Sequence, residues 1–474
     1  MAYYTGERKR RLTEGVKANA KRDRIPREKN GRWLNRNPLW FNPTISLPEP
    51  VTVEGVLNRL LHGQRIYRRD LWIRDLSILL ANLIAAERSE RPRPVVISLN
   101  DNDWHQPAEY EYPTSRVLRL TKYLHDEGLI NMKKGSHFEH KGRKTRIWAA
   151  PALLADHPEL CREVVVRPPA KLVELRAARN RDLTGDAKRR AQRRGGLKLL
   201  LYEETPLTRG WRKKLARANA INGDARIAYY DNGVCYELHT AMKAIFIGDF
   251  DHYGRLHSCG YRHAQGLSKT DRHTITIDGQ PVVELDYSGL HPRMLYAAEG
   301  KQYEGDPYSD AIDRIPGGFG WSEEARRRSR PLFKTALLAL LDSPSVNTAQ
   351  SSVNEWLYKH YAESRYLRRL GISKARVLIE AFAKAHSPIA HYFGSDIGMK
   401  LMNKDARIAL DVVWHFTKRG VPIIPVHDSF IVQDSHAEEL WQVMDETYQK
   451  HNDGFTCPIK GPWSYNPANR SKLH

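Results

Sequence analysis

Cysteine is scarce in this chain, long apolar runs are missing, and acidic residues are outnumbered; each shortage excludes something. The cysteines are Cys161, Cys235, Cys259 and Cys457, and none forms a CxxC pair, so a zinc knuckle is excluded. Scattered cysteines in 474 residues read as reduced thiols rather than a disulfide framework. No run of about 18 apolar residues is present, which argues against a membrane-spanning helix. The opening Met1-Ala2-Tyr3-Tyr4 lacks the apolar core of a signal peptide, so a soluble, intracellular, cytoplasmic protein with no membrane partner is expected. There is no internal repeat. His360, His386 and His391 are not clustered at metal-ligand spacing and read as surface or satisfied histidines. What is abundant is positive charge: 76 Lys and Arg against 55 Asp and Glu, a formal net charge of +21. The commonest anionic partner of such a chain is nucleic acid. The length suggests roughly two to four domains.

The first 30 residues are basic and poor in apolar side chains, so residues 1–50 are expected to form a disordered basic arm. From Asp70, Leu71, Trp72, Leu76, Leu79, Leu80, Leu83 and Ile84 recur at helical steps. A second amphipathic helix opens at Thr114-Ser115-Arg116 and stops at Gly128. A strand-like Leu129–Met132, a basic tip and the strand-like Thr145–Ala149 follow. A helix followed by a basic two-stranded ribbon resembles a winged helix-turn-helix domain, over residues 51–160. The resemblance implies that Ser115 and Arg116 face the major groove, and that Arg143, Lys144 and Arg146 of the wing touch duplex DNA. Residues 161–200, rich in Arg and Lys, are expected to be a basic linker or helix.

Two later segments are more specific. Val282-Val283-Glu284-Leu285-Asp286-Tyr287 and Ile423-Ile424-Pro425-Val426-His427-Asp428 are apolar, β-branched runs that each end in an Asp. A carboxylate at the end of a buried strand is costly unless paired. Two such carboxylates are suited to hold two Mg²⁺ ions about 3.5–4 Å apart, with Mn²⁺ as a substitute. Taken singly, each Asp reads equally well as a turn or cap residue.

With the segments between them, these residues resemble the palm-domain polymerases, both family A DNA polymerases and single-subunit phage-type RNA polymerases. Asp251-x-x-Gly254-Arg255-Leu256-His257-Ser258 resembles the segment of both families that lies along the primer–template duplex, which implies a backbone contact for Arg255. Asp286-Tyr287-Ser288-x-Leu290-x-x-Arg293 resembles motif A, which implies that Asp286 and the Tyr287 carbonyl are metal ligands and that Arg293 lies near the primer or template. Arg330-Pro331-Leu332-Phe333-Lys334 resembles motif B, where Arg and Lys at this spacing hold the triphosphate. Pro331 is expected in the first turn of that helix. His427-Asp428-Ser429-Phe430 resembles motif C in its RNA polymerase form, which makes Asp428 catalytic and places His427 at the primer end; Asn403 is the candidate template contact upstream.

The resemblance covers residues 235–450 and has departures. Leu338, Asp342 and Ser343 stand where family A enzymes carry aromatics and Gly, and His291 replaces the motif A Glu that excludes ribonucleotides. Leu338 and His291 therefore line an atypical nucleotide pocket. The expected fold is α+β: an N-terminal winged helix-turn-helix and, over residues 201–474, a right-hand polymerase core with a palm sheet and helical fingers. The expected function is template-directed nucleotidyl transfer, most like a DNA polymerase replicating DNA, by analogy that of a mobile element, with DNA and nucleoside triphosphates as partners. A phage-type RNA polymerase or primase, and a non-catalytic replication initiator, remain as alternatives; the sequence fixes no oligomeric state.

Overall fold

The computed structural model describes residues 34, 38–48, 50–88, 93–135, 144–161, 164–167, 169–177, 198–231 and 233–461. Arg143 and most of the basic arm lie outside the described residues.

The N-terminal elements are β1 (Leu39–Trp40), β2 (Ile45–Ser46), α1 (Pro50–Leu61), α2 (Arg69–Glu87), β3 (Val95–Ile97), α3 (Arg116–Asp126), β4 (Ile130–Lys133), β5 (Thr145–Ala149), α4 (Pro151–Asp156) and β6 (Val165–Val166). Their apolar side chains form one cluster running from Ile45 to Val164. Helix α2 is buried nearly all round, so it is the axis of this unit rather than a surface helix. Its Asn82 accepts from the Asn42 N–H and donates to the Asn42 carbonyl, which satisfies both in the interior. Gly128, at φ +70°, ends α3 as the sequence implied: the Leu129 N–H reaches back to the Leu124 carbonyl. A four-stranded sheet runs β1-β3-β5-β4.

This corrects the expected arm. Leu39 and Trp40 pair with Val95 and Val96, and Ile45 is fully buried, so the ordered unit begins well before residue 50. Such two-residue strands are too short to show a period.

The remaining chain has β7 (Val173–Arg176), β8 (Leu199–Leu200), α5 (Pro206–Asp224), β9 (Ile227–Asp231), β10 (Val234–Glu237), β11 (Met242–Ile247), β12 (Asp249–Ser258), α6 (Lys269–Arg272), β13 (Thr276–Ile277), β14 (Gln280–Tyr287), α7 (Leu290–Ala298), α8 (Pro307–Ile312), α9 (Glu323–Asp342), α10 (Val346–Lys359), α11 (Tyr361–Arg369), α12 (Ala375–Ala385), α13 (Gly398–Lys418), β15 (Ile424–Val426), β16 (Ser429–Gln433), α14 (Ala437–His451) and β17 (Ile459–Lys460). The class is mixed α and β, as expected. Within the bounds expected for a linker, Val173–Arg176 is a core strand parallel to β11, in a sheet ordered β12-β11-β7-β8, whereas the basic run from Arg179 to Arg194 lies outside the described residues. The larger sheet is ordered β10-β9-β13-β14-β16-β15, and β17 also pairs with β14.

Helix α9 differs from expectation at its start. It begins at Glu323, where Ser322 accepts from the Ala325 N–H and Glu323 and Glu324 complement the positive end of the helix. Pro331 therefore sits inside the helix, where a proline costs about 3 kcal/mol. The helix continues because Leu332, Phe333, Ala336, Leu337, Leu340 and Leu341 are all buried on one side.

Candidate active site

The site is built on β14, at the middle of the larger sheet. Asp286 pairs in register with Ser429, the residue after Asp428, and the Tyr287 N–H donates to the Asp428 carbonyl at 3.3 Å. On its other edge Asp286 faces Lys460 of β17. The β-branched runs seen in the sequence thus become β14 and β15, which lie on either side of β16 in one sheet and carry both carboxylates to one end of it.

Strands β15 and β16 are joined by a two-residue turn, His427-Asp428, because Val426 pairs with Ser429. His427 has φ +60°, a position that glycine fills more easily. A β-hairpin turn strained at a functional position holds Asp428 at a fixed angle. His427→Gly is expected to stabilise the protein by about 1 kcal/mol in chemical denaturation. A loss of stability would mean that the imidazole contributes more through contacts than the backbone strain costs.

The two carboxylates have no ion-pair or hydrogen-bonding side-chain partner among the described residues, and both ionise late. Burial, then Asp428 and Glu284, push Asp286 up to about 7. Burial, then Asp405, raises Asp428. The acids around them are neutralised. Glu284 accepts two hydrogen bonds from Arg272, at 2.9 and 2.8 Å, and one from Ser429, and these hold it below its usual range against the effect of burial. Asp405, almost wholly buried on α13, accepts from Arg255 at 2.9 Å and lies 3.7 Å from His291; these two partners outweigh burial and lower its pKa. Asp286 and Asp428 are therefore the unneutralised pair within a set of compensated acids. Half-buried neighbouring carboxylates of this kind could hold a hard cation. Among the described residues, no group of three or more His, Cys, Asp or Glu side chains is arranged as a metal cage.

Two cations stand by the pair. Lys334, on α9, and Lys269, at the start of α6, both draw down the pKa of Asp286, and both are exposed without an ion-pair partner among the described residues. Arg330, by contrast, is bound to Asp306 through two contacts of 2.8 Å, and its guanidinium lies 4.5 Å from the centre of the Tyr308 ring. Those bonds and the Ser309 N–H hold Asp306 at about 2 despite its burial. Arg330, Lys334 and the part-exposed Leu338 lie along one side of α9 at four-residue steps.

Several candidate residues sit differently from expectation. Arg255 is tied to Asp405, Arg293 is buried and donates to the Gly305 carbonyl, and Asn403 is buried between the Phe250 carbonyl and Arg407. Arg293 and Asn403 are internal groups and Arg255 is part-buried; of the expected primer and template contacts only His427 is exposed. Gly254, at φ +70°, is needed because a Cβ there would lie 3.0 Å from the Asn403 amide and 2.9 Å from the Phe246 ring. His291 is buried and directed at Asp405 instead of lining an open pocket. Asp342 and Ser343, in place of an aromatic and Gly, end α9 against the start of α13: a Cβ on Gly398 would meet the Asp342 carboxylate. In the N-terminal unit, Arg116 is paired with the fully buried Asp75 at 3.0 Å, and Arg146 is buried within β5. Neither is free to read a base. The exposed cations of α3 are Arg119 and Lys122, with Lys133 and Lys134 beyond it; Ser115 precedes the helix without capping it, and Lys144 lies over the Trp40 ring. Lys269 and Asp405 carry no motif of their own, and sequence reasoning gave them no role.

No family model matches the chain, and no curated protein matches it. Among solved structures, it is similar to the POL domain of Pol1 from M. smegmatis in complex with DNA primer-template and dNTP, at 15% identity and a TM-score of 0.29, over 87% of this chain and 69% of that one. No helix among the described residues is long and apolar enough to cross a membrane.

Proposed function

We propose that this chain is a template-directed nucleotidyltransferase that extends a nucleic-acid strand, most like a DNA polymerase. The observation that carries the reading is the half-buried pair Asp286, near the end of β14, and Asp428, in the turn before β16, which lack side-chain partners among the described residues, with the exposed Lys334 and Lys269 acting on Asp286. Asp286, Asp428 and the Tyr287 carbonyl would hold Mg²⁺, or Mn²⁺ in its place. When bound, such ions lower the pKa of the attacking hydroxyl and offset charge on the phosphates. Lys334 and Lys269 are placed to meet the triphosphate, whose charge builds toward the leaving pyrophosphate. Arg330 grips Asp306 and orients the same helix; on a nucleotide's arrival it can exchange that partner for phosphate. His427 is the exposed group beside Asp428 and is assigned to the primer end. The N-terminal unit, with a helix, a two-stranded ribbon and exposed Arg119 and Lys122, is assigned as a winged-helix-like duplex-binding module.

One observation favours a second reading. His291 replaces an acidic residue and is turned toward Asp405, so nothing at that position filters the 2′-hydroxyl. Ribonucleotide incorporation, as by a phage-type RNA polymerase or primase, follows from that.

The test is extension of primed and unprimed templates with deoxy- or ribonucleotides supplied separately, with and without Mg²⁺. Metal-dependent incorporation is expected. Its absence under every combination would leave a non-catalytic replication initiator. Lys334→Ala is expected to raise the apparent nucleotide KM about tenfold or more while duplex affinity stays near wild type. The opposite pattern, with lost duplex binding and unchanged nucleotide kinetics, would reassign α9 to backbone contact.

A further inference from the structure

Several arginines of the core are committed to acids. Arg272 is held by Glu284, Arg326 by Asp313, Arg330 by Asp306 and Arg376 by Glu380. Others have no acid partner among the described residues, and three of these are crowded on one helix. On α11, Arg365, Arg368 and Arg369 are exposed, with no ion pair or hydrogen bond from their side chains among the described residues. At about 100° per residue they fall within an arc of about 100°. The opposite side of the helix is fixed by the buried Ser364 and Leu367. The acid on this helix is Glu363, in its first turn.

The patch continues onto α9. Arg328 lies over the Tyr366 ring, 4.0 Å from its centre, which joins the two helices through a cation–π contact. Its neighbour Arg327 is exposed and also without a partner among the described residues. Around this face, Glu323 and Glu324 belong to the first turn of α9, and Glu355 is held by Lys359. The chain segments that lead into these two helices carry exposed aromatic rings: Tyr358 at the end of α10 and Phe319 before α9, each more than four-fifths accessible. Arg327 precedes Lys334 by seven residues on the same helix, about 10 Å along its axis. The patch is therefore within a few nucleotides' reach of the proposed active site.

We propose that the face made by Arg327 and Arg328 of α9 and Arg365, Arg368 and Arg369 of α11 binds single-stranded nucleic acid. Unpaired arginines crowded on one face repel one another, and a strand with a phosphate per nucleotide relieves that repulsion. Exposed aromatic rings on the segments entering α9 and α11 suit unpaired bases, which stack on such rings, whereas a duplex hides its base faces. Identifying the strand as the unpaired template beyond the active site rests on the reading above; single-strand binding itself does not.

The experiment uses the full chain with no nucleotide and no divalent metal. Fluorescence anisotropy measures affinity for a labelled oligothymidylate and for a blunt duplex at several salt concentrations. The triple variant Arg365→Ala, Arg368→Ala, Arg369→Ala is expected to lose about tenfold or more in single-strand affinity. Its salt slope should fall by about 2, at roughly 0.7 per lost phosphate contact. Duplex affinity and thermal melting should stay unchanged. The corresponding triple Lys variant should recover most of the slope, because it restores charge. An unchanged slope overturns the proposal. So does an equal loss for duplex, which makes the face a general backbone site, and so does displacement of the oligonucleotide by polyglutamate at equal charge, which makes it an acidic-protein site. If single-strand binding holds while no incorporation is found in separate extension assays, the proposed function fails and this surface stands.

Discussion

Asp286→Asn is expected to abolish strand extension and, in the metal-free protein, to raise stability above neutral pH. Both effects come from the same burial. Activity should fall by at least about a thousandfold, roughly 4 kcal/mol of transition-state stabilisation, because the amide is a poorer ligand and carries no charge. The stability effect has a defined sign. The Asp286 carboxyl is pushed up to about 7 from its ordinary 3.8, so between those values the folded chain holds a proton that the unfolded chain has released. Wild-type stability therefore falls as pH rises through that window, by up to roughly 4 kcal/mol once both states are ionised. The Asn variant has no such penalty. Denaturation in EDTA should show the two proteins equal near pH 4 and the variant more stable at pH 8. Mg²⁺ should stabilise the wild type at pH 8 and leave the variant nearly unmoved. Asp428→Asn should behave alike, since burial and Asp405 raise that carboxyl too. A variant that still extends primers at the wild-type rate, or is no more stable at pH 8, would remove Asp286 from the proposed centre.

The strands that carry these acids were legible because their sequences are unambiguous. Val282–Leu285 and Ile423–Val426 are short, β-branched and followed by an Asp, and they fold as strands of one sheet on either side of β16. What the sequence could not convey is which arginines face inward. Arg116 finds Asp75 at a separation of 41 residues, and Arg255 finds Asp405 at 150. No local pattern marks such partners, and an arginine in a basic chain looks like a solvent or phosphate contact until the fold is known. The start of α9 was misread for a different reason. Ser322, Glu323 and Glu324 form a good helix start, but Pro331 seemed to demand one nearer itself; tertiary packing of Phe333 and its neighbours overrides that preference. Asp405 and Lys269 belong to no segment that stands out, and only their placement near Asp286 and Asp428 gives them interest.

The seam between the N-terminal unit and the core carries the second large expectation. Glu174 on β7 is almost wholly buried, accepts from Lys243 at 2.6 Å and from Arg176 at 2.8 Å, and is also bonded by the Tyr112 hydroxyl from the N-terminal unit. Lys243 donates to that same hydroxyl. Nearby, Tyr110 donates to the Leu200 carbonyl at 2.7 Å, and Asn42 and Thr44 bond to the two sides of Gly260. The two units are thus joined by hydrogen bonds at the centre of the β12-β11-β7-β8 sheet rather than by a free tether. Lys243→Met should cost roughly 3–5 kcal/mol, because it leaves a buried carboxylate short of its main counter-charge. The pH dependence checks the cause. In the wild type the pairing outweighs burial and lowers the Glu174 pKa, so its stabilisation is present above the ordinary Glu range and is lost as the solution is made acidic. The deficit of Lys243→Met should accordingly be large at pH 7 and small near pH 4. Adding Glu174→Gln to Lys243→Met should recover part of the loss, as a double-mutant cycle would register. For the same reason a core lacking residues 1–164 should melt well below the full chain, since it has lost Tyr112, Tyr110, Asn42 and Thr44 and exposes the Glu174–Lys243 pair to water. If that truncated core melts like the full chain, the seam is a passive contact and the two units are independent modules.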